Sequence, residues 1–235
     1  MKLTASFVAL VALASFTATP LLAAPLDGQG KKKDPPKPEK KKDEHKKPEE
    51  KKPEAPKGLK IGTELDAATS LEDASGKPHT LKEYRGKIVV LDFWSAASAG
   101  DAQEKHLSKL AAEYGSKNVV VLAVDAVAGE AGDAKAVQDA ATKSGVTFPV
   151  LLDKGGILAD RLGAKSLDEV FVLDAKGILR YSGSIDDDPK GEKADKAQDY
   201  LGTTLKALVD GKDVAAPTTP PNGAALRVDH KPAGK

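Results

Sequence analysis

Between Lys87 and Tyr114 the chain is committed to a strand followed by a helix, and everything around it must fit that pair. Ile88-Val89-Val90-Leu91 is a short, largely β-branched apolar run of the kind that forms a strand buried on both faces. Asp92, Phe93 and Trp94 come next, then a patch of small residues. Apolar positions then recur at Leu107, Leu110, Ala111 and Tyr114, the spacing of a helix with one buried face. Ser98 is the expected N-cap, with Asp101 as a first-turn charge at the positive end of the helix dipole. A strand that turns sharply onto a helix N-terminus leaves backbone N–H groups free to stabilise an anion, so this turn is where chemistry is expected.

The flanking sequence repeats the alternation. Leu71 to Leu81 reads as two short strands around an Ala-Ser-Gly-Lys turn, and Leu81 to Lys87 as a short helical turn ending at Gly86. Asn118–Asp125 is a second buried strand, Ala134–Ser144 a helix stopped by Gly145, and Thr147–Asp153 a third strand. Ile157–Leu162 is a short helix before Gly163. Glu169–Asp174 and Ile178–Gly183 form a hairpin across Ala175-Lys176-Gly177. Ala194–Val209 is amphipathic, with Ala197, Leu201, Leu205 and Leu208 on one side. Strands alternating with helices and closed by a hairpin predict an α/β/α sandwich around a central mixed sheet.

Both ends of the chain differ from this pattern. Residues 1–24 carry Lys2, an apolar stretch from Leu3 to Leu22 and then two alanines, the three-part pattern of a secretory signal peptide; the competing reading is an uncleaved membrane anchor. Residues 25–57 read as a disordered linker. Its core, 31–57, holds 12 lysines, 7 acidic residues and 6 prolines and no large apolar side chain, so it cannot bury enough surface to offset its ordering entropy. It is either a solvated spacer or a basic arm for anionic envelope polymers or lipid head groups. Residues 58–212 form the folded domain, and 213–235, rich in proline and threonine, are expected to be a flexible tail. The expected location is therefore periplasmic or extracellular, with membrane contact only through the signal segment or the basic linker.

The folded part resembles the redoxins, the alkyl hydroperoxide reductase/thiol-specific antioxidant group of thioredoxin-like proteins. Val90-Leu91-Asp92-Phe93-Trp94-Ser95 resembles the strand that leads into their C-x-x-C site. The run from Asp73 to Lys87 (D-x-x-G-K-x-x-x-L-x-x-Y-R-G-K) and Phe148-Pro149-Val150-Leu151-Leu152-Asp153 are similar to redoxin segments before and after it. The resemblance implies a thioredoxin-like fold from about Ile61 to Gly211, and a peroxidase or thiol-disulfide oxidoreductase activity. It places the two redox cysteines at Ser98 and Asp101, and the family's substrate-gripping cis-proline at Asp168. Gly223-Ala224 resembles a Gly-Cys ending found in some members.

The chain has no cysteine. Thiol chemistry needs a thiolate, so the frame of a redox site is present without its nucleophile. No catalytic residue and no cofactor is expected. Asp92, Trp94, Ser95, Ser98 and Asp101 are instead a candidate binding surface for an unknown protein or envelope polymer. Asp92 and Asp101 together could form a coupled acid pair for acid/base work or for a divalent cation, whereas singly they are a strand-end acid and a helix-start charge. Two oxygen-bearing side chains fall short of a metal site, so none is expected. His79, His106 and His230 lack zinc spacing, and His106 reads as a helix-surface residue. No Walker, dinucleotide or G-x-S-x-G motif occurs. With aromatics at 4% and a folded region of net negative charge, no nucleic-acid partner is expected.

Overall fold

The computed structural model describes residues 58–193 and 196–229. The expected signal segment and linker lie outside the described residues. No helix among the described residues is long and apolar enough to cross a membrane.

Seven strands, β1 (Ser70–Asp73), β2 (Pro78–Thr80), β3 (Ile88–Trp94), β4 (Val119–Asp125), β5 (Val150–Leu152), β6 (Glu169–Leu173) and β7 (Leu179–Ser184), form one sheet in the order β2-β1-β5-β4-β3-β6-β7. β3, β4 and β5 are parallel, because α-helical crossovers return the chain to the same end of the sheet each time. β1 and β6 join antiparallel on either side, and the two hairpins complete a mixed sheet as the sequence predicts.

Strand alternation sorts the core into two faces. Val89, Leu91 and Phe93 of β3 pack with Leu122, Phe171 and the short helix α3 (Ile157–Leu162). Val90, with Val121 and Val172, packs on the other side against Leu107 and Leu110 of α1 (Ala102–Tyr114) and Leu201 and Leu205 of α4 (Tyr200–Val209). Trp94 points to that same side, beside Val137 and Ala141 of α2 (Ala134–Ser144). All seven residues of β3 are buried, which explains why its sequence is nearly uninterrupted apolar.

Two expectations change. The last helix begins at Tyr200, not Ala194, because the Asp199 carboxylate caps it by accepting from Gly202 N at 2.7 Å; Ala197 lies outside it. Residues 213–229 are not a loose tail. They lie along the domain, Thr218 bridging Ser182 and Ala225 bridging Ser166, because their polar groups complete buried ones. Tyr181, fully buried, shares a 2.6 Å hydrogen bond with the Thr219 hydroxyl, and Ser184 Oγ donates to Pro220 O at 2.5 Å. Residues 230–235 lie outside the described residues.

Phe171 meets Phe93 edge-on with ring centroids 5.6 Å apart, at the centre of the α3 face. Phe171→Ala is expected to cost about 3–5 kcal/mol in urea unfolding with an unchanged m-value. A loss below about 1 kcal/mol would mean that this face is not packed as described.

Candidate functional site

β3 ends at Trp94, and the turn from Ser95 to Asp101 carries the chain onto α1. The cap is Asp101 rather than Ser98: its backbone is extended (φ −72°, ψ −174°) and its Oδ1 accepts from Glu104 N at 2.9 Å. Glu104 reaches back, accepting from Gly100 N at 3.0 Å and from the Trp94 indole N–H at 2.9 Å, both at Oε2. This is a variant of the reciprocal capping box, and its D-x-x-E signature is readable at Asp101–Glu104. A third carboxylate, Glu130, arrives from the loop after β4. It accepts from Ser95 Oγ and Ala96 N, each at 2.9 Å. No local pattern marks Glu130, since it acts across 34 residues.

The consequence is chemical. Ala96, Gly100 and Glu104 N–H donate to the protein's own carboxylates, Ala97 N–H to Ser95 Oγ, and Ser98 and Asp101 N–H to backbone carbonyls. These donors, among those the sequence leaves free for a bound anion, are filled from within.

Asp92, Asp101 and Asp168 do come together, with Glu104 added. Asp168 sits where the resemblance places the cis-proline, and no peptide bond among the described residues is cis. Its N–H donates to Phe93 O at 2.8 Å, and its backbone is left-handed (φ +56°), a conformation that Asp tolerates better than most residues. Burial, then the charges of Asp101, Glu104 and Asp186, pushes the Asp168 carboxyl up to about 7. Asp92 is buried beneath the helix start. Desolvation, then the charges of Asp168, Asp101 and Glu104, drives its carboxyl well above the ordinary range, and its Oδ1 has no hydrogen-bond partner. Asp125, at the end of β4 opposite Trp94, is likewise pushed up to about 7 by burial, with Glu130 adding to it. The local chemistry is that of carboxyls that hold their protons well above the ordinary carboxylate range. No group of three or more histidine or acidic side chains with metal-holding geometry occurs among the described residues, so the divalent-cation reading gains no support.

The candidate binding surface contracts. Asp92, Trp94 and Ser95 are buried at 2%, 1% and 2% exposure, so none of them presents a face to a partner. Trp94 packs against α2, and its N–H is taken by Glu104. What remains at the surface is the turn itself, with Ala97 exposed and Ala96, Ser98 and Asp101 part-exposed.

Two histidines have larger roles than the sequence suggests. His106 is no simple surface residue: Nδ1 lies 2.9 Å from Asp186 Oδ2 and Nε2 lies 3.4 Å from Asp199 Oδ2. The hydrogen bond to Asp199, then that to Asp186, raises its pKa against the opposing effect of burial. His79 is buried between Asp73 Oδ2 (2.8 Å) and Tyr84 OH (2.5 Å). Burial acts against ionisation of Asp73, but hydrogen bonds from Ser75, His79 and Lys77 win and hold its carboxyl at about 2.

Comparison with known proteins agrees with the fold and the frame. Residues 62–182 match the AhpC/TSA family. The chain is 36% identical over 112 residues to the thioredoxin-like protein YneN of Bacillus subtilis (strain 168), covering 47% of this chain and 64% of YneN. It is 30% identical over 112 residues to the thiol-disulfide oxidoreductase ResA of Geobacillus thermodenitrificans (strain NG80-2), covering 47% and 62%. The chain thus spans less than two-thirds of the length of these curated relatives. A crystal structure of a hypothetical protein, SMc02350, from Sinorhizobium meliloti 1021 superposes with a TM-score of 0.63 at 26% identity, covering 75% of this chain and 97% of that one.

An acid whose folded pKa lies above its unfolded value loses stability as pH rises. Below about pH 4 both states of Asp168 are protonated; from there to about pH 7 only the unfolded chain ionises, and above pH 7 the penalty is constant. Asp168→Asn is therefore expected to raise Tm at pH 8 and to leave it nearly unchanged at pH 4. An equal difference at both pH values would contradict this origin.

Proposed function

The chain belongs to the AhpC/TSA family, and on that premise we propose that it is an exported, tethered member whose domain has exchanged redox catalysis for binding or structural work in the cell envelope. The observation that carries this reading is the filled turn. Where a redoxin needs a thiolate at a helix N-terminus, this chain has Ser98 and Asp101, and its own carboxylates take the Ala96, Gly100 and Glu104 donors there. A serine hydroxyl is not activated in such a place: no histidine is bonded to Ser98, whose Oγ donates to Ser95 O at 3.2 Å. The surrounding acids would oppose, not stabilise, developing negative charge.

Export and tethering rest on the signal-like pattern of residues 1–24 and the Lys/Pro/Glu composition of 25–57. The Ala96–Ser98 turn is the part of the former redox site still open to a partner. YneN and ResA carry thioredoxin-like and thiol-disulfide oxidoreductase names; that activity does not transfer to a chain without sulfur nucleophiles.

Two measurements test the reading. Peroxide consumption with an external dithiol, and insulin reduction, should not exceed the protein-free blank; turnover above it would overturn the proposal. The double variant Ser98→Cys/Asp101→Cys should close an intramolecular disulfide under mild oxidation, since the two positions sit in the frame of a C-x-x-C turn. If it stayed open, the alignment of the site would be wrong.

A further inference from the structure

The β1–β2 hairpin carries a polar relay separate from the former redox turn. Asp73 closes β1, and its Oδ1 accepts from Ser75 Oγ at 2.6 Å, Ser75 N at 2.9 Å and Lys77 N at 3.0 Å. Its Oδ2 faces His79 Nε2 at 2.8 Å, and His79 Nδ1 lies 2.5 Å from the Tyr84 hydroxyl at the end of the helical turn Leu81–Tyr84. The imidazole and phenol planes are 3° apart. Asp73, held at about 2, is a carboxylate and can only accept, so Nε2 carries the ring proton that faces it. In the neutral ring Nδ1 is then the lone pair that accepts from the Tyr84 O–H.

That order of carboxylate, imidazole and phenol changes what the phenol can do. Loss of one electron makes a phenol strongly acidic, and the electron leaves more readily when a base takes the proton in the same step. His79 is such a base, and Asp73 faces the imidazolium that would form. Before oxidation the proton stays in place: burial, then the charges of Glu83 and Asp73, raises the Tyr84 pKa. The other electron-rich rings are placed less well. Tyr181 is fully buried and bonds to Ser184 O and the Thr219 hydroxyl, neither of them a base. Tyr114 is buried with Glu113 beside its hydroxyl, but the Lys117 ammonium lies 4.2 Å from its ring centre, and positive charge there opposes loss of an electron. The Tyr200 hydroxyl makes no hydrogen bond among the described residues. Trp94 gives its N–H to Glu104 but is sealed at 1% exposure. Tyr84 is half-buried, so a small oxidant reaches it.

We propose that Tyr84 is a one-electron oxidation site, with His79 taking the phenol proton, and that its oxidants are small radicals such as the carbonate radical anion or nitrogen dioxide. In the step an electron passes from Tyr84 to the radical, which becomes carbonate or nitrite. The phenol O–H bond breaks and an Nδ1–H bond forms, leaving a neutral tyrosyl radical and an imidazolium held by Asp73. A one-electron donor of the enediol class returns the electron, and the proton moves back. This chemistry needs no sulfur, consumes no peroxide through a thiol, and stands whether or not the domain binds a partner.

The test follows tyrosyl absorbance after carbonate radicals are generated by pulse radiolysis in a bicarbonate solution of the full chain. Tyr84→Phe should remove most of the signal. His79→Gln separates a proton acceptor from a mere hydrogen-bond partner, because an amide can still donate to Asp73 and accept from Tyr84 but takes no proton. It should slow formation of the Tyr84 signal about tenfold. A tyrosyl signal undiminished in Tyr84→Phe, an indolyl signal from Trp94 in its place, or an unchanged rate in His79→Gln overturns the proposal. Should either variant fail to melt cooperatively, the unaltered chain decides. Nitration by nitrogen dioxide, mapped by peptide mass spectrometry, should then favour Tyr84 over Tyr200, the other half-buried tyrosine; equal or greater nitration of Tyr200 overturns it.

Discussion

The turn between the central strand and the first helix is held by one carboxylate. Glu104 binds the Trp94 indole on one side and the Gly100 amide on the other, so the end of β3 and the start of α1 are locked to each other. The position of α1 in turn sets that of the last helix. Gln103 Nε2 donates to Asp186 Oδ1 and to Asp188 O, each at 2.9 Å, and His106 links Asp186 to Asp199, the residue that caps α4. A single chain of polar contacts therefore runs from the strand through the first helix to the last. Hydrogen bonds to charged groups are worth about 1.5–3 kcal/mol each when buried, enough to set the geometry of helices whose apolar faces could slide.

The same turn keeps the frame of a redoxin site without a cysteine in it. A redoxin site places a thiolate at the positive end of a helix; here the negative charge there belongs to Asp101, Glu104 and Glu130, all supplied by the chain itself. Crowding those carboxylates above Asp92 and Asp168 carries a cost, seen in the raised pKa of both buried acids.

Most of the sheet and its helices are legible in the sequence because their signals are local. β3 and β4 are apolar runs too short for helices, while Gly145 and Gly163 mark the helix ends where they occur. Asp101 as cap is within reach, since its D-x-x-E pattern is as visible as the serine three positions before it. Glu130, His106 and the contacts of residues 218–229 are not, for a common reason: each acts on partners dozens of residues away. Proline- and threonine-rich composition signals poor regular structure, which is correct for 213–229, but it does not distinguish a loose segment from one whose Thr219 hydroxyl and Pro220 carbonyl complete the buried Tyr181 and Ser184. For the same reason the sequence places Trp94 beside the site but does not reveal the partner of its N–H.

The anchoring of Tyr181 and Ser184 has a consequence for the order in which the domain can be made. Thr219 accepts from Ser184 N–H at 3.0 Å and shares a hydrogen bond with the Tyr181 hydroxyl, so the Ser184 amide lacks this partner until residue 219 has been added. A growing polypeptide can pair the strands of its last hairpin early, but the buried Ser184 groups at the end of that hairpin gain these partners only when residues 219 and 220 reach them.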